Sequence, residues 1–296
     1  MTFLVAFSPH KRDQAAAELA CHLARSEGDQ VHAVSVVPQG WPTAVAGDTD
    51  REYEVWSAEQ GEAAAAEALA ALSAHPEVTS TASWVTGRSV PQALLGQAEQ
   101  LGASLIVVGS GDDGPEGRIT VTSKTDRLLH SSPIPVAVAP RGFHAPSGKV
   151  ARVTLGFRGD DETWALLDRV AEIAKRVGAS VRLVTFAVRS PMMIPPVVSR
   201  GEDQVHAQWQ RQASEALAEA SDHLRGLGFA EDQVATQVAA GGSWASAVDQ
   251  VGWREDDLLV VGSSSTHRLA QVFLGSSATK IVRHCPAPVI VVPAGA

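Results

Sequence analysis

The chain contains the same design twice, and no other feature constrains its fold as much. Residues 122–140 read TSKTDRLLHSSPIPVAVAP, and residues 275–293 read GSSATKIVRHCPAPVIVVP. Ser123 and Ser276, Pro133 and Pro286, and Pro140 and Pro293 each lie 153 positions apart. Upstream, TFLVAFSPHKRDQAAAELACHLA aligns with RVTLGFRGDDETWALLDRVAEIA, Phe7 facing Phe157 at an offset of 150. VHAVSVV (31–37) and VRLVTFA (181–187) keep that offset. Solenoid units are only ~20–50 residues long. The period here is that of a duplicated domain, so any site should be sought in two diverged copies.

The length of 296 residues suits two domains. The repeat places them at 1–141 and 150–296, with RGFHAPSGKV between them, a Gly- and Pro-bearing stretch without apolar periodicity. A net charge of −9 and the lack of any Lys/Arg run argue against a nucleic-acid-binding surface. No apolar stretch approaches the ~18 residues of a membrane span. The start, TFLVAF, has no basic leader or cleavage site, so export is not expected. Cys21 and Cys285 occupy non-equivalent places, which suggests a reducing compartment without a disulfide framework. A cytoplasmic protein is expected.

Each copy opens with a short apolar run (3–7; 153–157) that leads into an amphipathic helix. Ala16, Leu19, Ala20, Leu23 and Ala24 recur at helical spacing in the first copy, as do Trp164, Leu167, Val170, Ala171 and Ala174 in the second. Next come β-branched strands at 31–37 and 181–187 and a Pro/Gly-rich segment (38–51; 188–201). An Ala/Glu-rich helix then ends near His75 or Gly226. Third strands are expected near 79–86 and 234–239, and fourth strands at LIVVG (105–109) and LLVVG (258–262). Helices at about 119–131 and 272–284 precede the last strands, PVAVA and PVIVV. Fully apolar strands alternating with helices indicate a parallel sheet covered on both faces. Right-handed crossovers then favour a doubly wound, Rossmann-like (flavodoxin-like) α/β domain, with strand order 3-2-1-4-5 in each copy. Ligands in such sheets sit beyond the strand carboxyl ends, where the winding reverses. That point lies at Ser8 and Gly109 in the first copy and at Arg158 and Gly262 in the second.

At VVGSSSTHRLAQVFLGSSATKIVRHCPAPVIVVP (260–293) the chain resembles the universal stress protein family. The likeness rests on a Gly ending strand 4, a second Gly three residues on and a Gly-Ser/Thr pair at the next helix start. Pro-x-Pro before the last strand and a Gly-x-Ser element after strand 3 (Gly87–Ser89; Gly241–Ser243) extend it. It covers essentially the whole chain in two copies. In nucleotide-binding members the Gly/Ser positions hold ATP phosphates, and an Asp ending strand 1 holds the adenosine end. Here Gly262, Gly275 and Ser276 match, while Ser265 replaces the second Gly. In the first copy Gly109 and Ser123 match, Asp112 replaces the second Gly and Thr122 the third. Ser8 and Arg158 stand where the strand-1 Asp would be. The resemblance implies a non-enzymatic stress-response protein with ATP as its candidate ligand.

Phosphates are held by backbone N–H groups, helix N-termini and hydroxyls, with cations in support. The segment Gly262–Arg268 offers four hydroxyls, including Ser263 and Ser265, and no acid, and Ser276 and Ser277 open the next helix. The first-copy loop carries Asp112, Asp113 and Glu116. If one copy binds an anion, the second is expected. Arg158 either meets that anion or pairs with Asp160 or Asp161 beside it. Two rival readings stay open: a structural member without a ligand, and an ATP-cleaving enzyme of the related α/β group. The enzymes carry a Ser-Gly-Gly-x-Asp-type loop after strand 1, where this chain has SerProHisLys and ArgGlyAspAsp.

Other motifs carry less. Gly109–Gly114 fits G-x-G-x-x-G, but after the fourth strand rather than the first. There is no P-loop, no G-x-S-x-G elbow and no His/Cys spacing suited to a metal. His22 and His206 are expected at helix surfaces or boundaries, and Cys285 as a small packed residue. Trp41, Trp56, Met192 and Met193 fall in the variable segments or their flanks, where they either line a pocket or cover the sheet, the latter being expected. The apolar edges Val136–Ala139 and Val289–Val292 should pair with one another as an intramolecular pseudo-dimer, because an unpaired apolar edge is a liability. A further homodimer is compatible with the sequence but not fixed by it.

Overall fold

The computed structural model describes residues 1–9, 13–40, 48–146, 148–188, 199–263 and 276–293, apart from the side chains of 48–50 and 199–206. The first half runs β1 (Thr2–Phe7), α1 (Ala15–Glu27), β2 (Gln30–Pro38), α2 (Asp48–Leu72), β3 (Ser80–Gly87), α3 (Val90–Gln100), β4 (Leu105–Gly109), α4 (Ser123–Ser131) and β5 (Val136–Ala139). The second runs β6 (Arg152–Gly156), α5 (Asp161–Val177), β7 (Ser180–Val188), α6 (Ser199–Gly226), β8 (Val234–Gly241), α7 (Trp244–Asp249), β9 (Asp257–Gly262), α8 (Ser276–His284) and β10 (Val289–Val292).

All ten strands form one sheet, β3-β2-β1-β4-β5-β10-β9-β6-β7-β8. Each half has the expected 3-2-1-4-5 order, with parallel pairing inside the half. The halves join where β5 meets β10 antiparallel, Val138 opposite Val289 and Val136 opposite Val291. The expected pairing of the two apolar edges is therefore present. One apolar cluster lies under α1, α2, α5 and α6 and crosses the seam, and another lies under α3, α4, α7 and α8.

Polar contacts reinforce the seam. Arg118 donates to the carbonyl of His284 at 2.7 Å and to Asp249 at 3.1 Å. On the opposite face Arg176 pairs with Glu27, tying α5 to α1. The connecting segment is docked along α1. Gly142 N–H donates to Asp13, Ala145 N–H to Glu18 and Val150 N–H to the Ser26 hydroxyl, and Arg25 donates to the Pro146 carbonyl.

Three expectations change. His22 is 3% exposed, in a pocket with Arg25 and edge-on to Phe143, because the docked connector covers that face of α1. The last helix of the first copy begins at Ser123 rather than near 119, since residues 110–120 close on themselves. Gly111 N–H meets the Thr120 carbonyl, and the Ser110 hydroxyl accepts from Thr120 N–H. Trp56 lies half-exposed against Tyr53 on α2 instead of covering the sheet. Cys285 is buried as expected, its thiol pushed by burial up to about 12. Trp41, Met192, Met193 and the side chain of His206 lie outside the described residues.

Candidate functional sites at the two switch points

In each half β1 or β6 ends beside β4 or β9, and the crossovers leave in opposite directions, which opens a cleft. The first cleft, of about 540 Å³, is lined by Ser8, Gly109 and Ser123 together with Asp112 and Asp113. The start of α4 forms one wall. Thr122, not Ser123, is the cap, its hydroxyl accepting from Thr125 N–H at 3.2 Å. Ser123 and Lys124 are the first two residues of the helix. A helix start leaves its early N–H groups without intrahelical partners, and both residues line the cleft.

Two glycines of the loop after β4, Gly111 and Gly114, serve packing. A Cβ on Gly114 would lie 1.9 Å from the Thr120 hydroxyl, and one on Gly111 would lie 2.9 Å from the Thr122 methyl. That explains their spacing without a dinucleotide. Sequence reasoning missed Asp13, which lines the same cleft. One of its oxygens accepts from Ala15 N–H at 2.9 Å and the other from Gly142 N–H at 3.2 Å, so it caps α1 and holds the connector. Beside it, the Gln14 side-chain amide oxygen Oε1 is buried with no partner among the described residues.

The second cleft, of about 400 Å³, is lined by Arg158, Gly262 and Ser277. Its walls are aromatic: Phe157, Phe186, Trp209 and Trp244. Thr185 donates to the Phe157 carbonyl at 2.8 Å, fixing the end of β6. The Arg158 guanidinium reaches Asp160 at 2.8 Å and Glu162 at 3.4 Å. Asp160 caps α5 through Thr163 N–H at 2.9 Å. Burial works against its charge, but Thr163 and Arg158 together hold its carboxyl below the ordinary range. Arg158 is thus engaged by its own chain, through Asp160 and Glu162.

Not every anticipated residue reaches a cleft wall. Ser263 is 2% exposed and its N–H donates to the Val292 carbonyl, so that amide closes the strand end. Ser276 begins α8 on the exposed side. Ser265 and Gly275 lie outside the described residues.

Two doubly wound domains fused through their fifth strands, each with a cleft at its switch point, define a tandem Rossmann-like α/β protein. The pattern of the universal stress protein family matches residues 1–140 and 150–293, and the chain belongs to that family. It is 36% identical over 297 residues to universal stress protein Rv2319c of Mycobacterium tuberculosis, covering 99% of this chain and 100% of the relative. The figures are the same for Mb2346c of Mycobacterium bovis. A universal stress protein structure from Archaeoglobus fulgidus superposes with a TM-score of 0.68 at 14% identity, covering 99% of this chain and 98% of that one, which establishes the shared fold. No helix among the described residues is long and apolar enough to cross a membrane.

Proposed function

We propose that the protein acts by binding rather than by bond chemistry. In this reading a nucleotide of the ATP class, or a comparable polyphosphate, occupies the switch-point cleft of the second domain, residues 150–296. The observation that carries the ranking is the charge of the two linings. Asp13, Asp112 and Asp113 face the first cleft with Lys124 as the one cation among its described lining residues. The described lining of the second cleft contains Arg158 and no carboxylate. Three carboxylates repel a phosphate chain unless a divalent ion intervenes, whereas the dipole of α8 favours an anion at its start.

Within that cleft, Gly262 lets the ligand approach the strand end, while Ser277 presents its hydroxyl and a first-turn amide. Trp209 and Trp244 supply apolar faces for a base. No carboxylate ends β6, so the site lacks the acceptor that would select adenosine. Binding is therefore weak, with little discrimination between ATP, GTP and inorganic triphosphate. Calorimetric titration of the purified protein with those three ligands tests the reading. Comparable weak affinities support it, and tight binding of ATP with rejection of the other two overturns it.

A further inference from the structure

The crease between the halves, on the face that carries α1 and α5, holds a cavity of about 380 Å³ with walls from both copies. Its floor is the cluster that crosses the seam, represented by Leu105 of the first half and Val260 of the second, which are 6% and 5% exposed. Leu23 on α1 and Val170 on α5 close the sides. In the wall the Ser104 hydroxyl is buried with no hydrogen-bond partner among the described residues, and a buried polar group of that kind calls for an explanation.

The mouth differs from the floor. Arg169, Ile173 and Arg176 stand one above another on α5, at the i, i+4, i+7 spacing of one helical face. Ile173 is 39% exposed between the two guanidinium groups. Arg169 and Arg176 stand at the rim with Glu27 and Glu172, and the Met1 ammonium beside them is paired with Asp29 at 2.7 Å. The Glu27–Arg176 ion pair ties α1 to α5 at the edge, so the space is a bounded pit rather than an open groove.

We propose that this pit is a second binding site, for a small amphipathic carboxylate. Its apolar body fills the interdomain cavity and its carboxylate lies against Arg169 and Arg176. The volume is within the ~300–1,000 Å³ of small-molecule pockets. Aliphatic walls reward a hydrocarbon body through removal of apolar surface from water. The planar guanidinium forks of Arg169 and Arg176, on one face of α5 above the apolar cavity, match a carboxylate.

Calorimetric titration of the full-length protein with decanoate and with 1-decanol, each with and without saturating ATP, tests the site. Decanoate is expected to bind whether or not ATP is present. Ile173→Trp, at a half-exposed helix position that tolerates an indole, should plug the mouth and weaken decanoate about tenfold or more. The double variant Arg169→Gln/Arg176→Gln should weaken decanoate about tenfold while leaving 1-decanol within about twofold. This pair carries the test alone if circular dichroism shows Ile173→Trp unfolded. Absence of decanoate binding, displacement of decanoate by ATP, or affinity unchanged in these variants overturns the proposal. A dimer that Ile173→Trp dissociates in sedimentation would also overturn it, by identifying a second copy as the occupant.

Discussion

Replacing Asp257 by Asn should destabilise the protein more than any exposed charge removal, because this carboxylate holds a buried cluster together. Asp257 is 2% exposed at the start of β9. Arg152 reaches its two oxygens at 2.7 and 2.6 Å, Arg182 donates to it at 3.1 Å and the Arg254 N–H at 2.9 Å. Arg182, itself 5% exposed, also donates to Thr154 and to the Val251 carbonyl, and its guanidinium lies 5.0 Å from the Trp253 ring. Burial pushes that guanidinium below its ordinary pKa, and Asp257 is the main influence opposing the shift. The Asn variant leaves two cations facing a neutral amide that cannot accept all their donors. Removing one partner from a buried pair costs about 3–5 kcal/mol, a large part of the ~5–15 kcal/mol that holds most domains folded. At ~2–4 °C per kcal/mol, the midpoint should fall by about 6 °C or more. The control is Asp222→Asn, which breaks an exposed pair with Arg225 and should cost under ~1 kcal/mol. Scanning calorimetry or urea titration compares the two. Equal shifts would refute the view that Asp257 neutralises the buried arginines.

Ser277→Asp should weaken triphosphate binding about tenfold or more without lowering the melting temperature, since a carboxylate in the first turn repels the ligand yet suits the helix dipole. Thr122→Asp in the first copy should change it little, and calorimetry that shows equal losses reverses the ranking of the clefts. Gly241→Ala should cost about 1–3 kcal/mol in urea titration, because the new methyl would lie 2.6 Å from the Ala247 backbone nitrogen at the start of α7. Burial, with Arg25 adding to it, lowers His22 from 6.5 to about 4. The unfolded chain therefore takes up the proton first, and stability should fall as pH drops from about 6.5 towards 4. The urea midpoint of His22→Asn should show a shallower slope across that window, and an unchanged slope assigns the acid sensitivity to other groups.

The architecture was legible because parallel strands advertise themselves. LIVVG and LLVVG are apolar on both faces, and only a covered sheet accommodates that. The seam was legible for the same reason, since Val136–Ala139 and Val289–Val292 each pair with one apolar strand of their own half and leave the other edge without a partner there. What stayed hidden were polar contacts between residues distant in sequence. Arg182 and Asp257 were not singled out, and nothing local shows that each neutralises the other 75 positions away. His22 looked like a surface histidine because the connector that covers it has no periodicity to betray its docking. Asp13 was passed over because it lies beyond the strand end, and only the folded chain brings it beside Ser8. Ser8, Gly109, Arg158 and Gly262 follow from topology alone. Ser263 does not, because its position in a hydroxyl-rich run conceals an amide committed to β10.

The antiparallel meeting of β5 and β10 has a consequence for composition. A pair of domains associating as separate chains comes apart on dilution and exchanges members with any homologue in the cell. Here the chain itself supplies both members, at an effective concentration set by a docked connector of about ten residues. Two clefts of opposite character are therefore always delivered together, one of each, at any expression level. Neither can be replaced by a copy of the other, and the acidic site can drift in sequence without forming mixed assemblies that would spoil its partner.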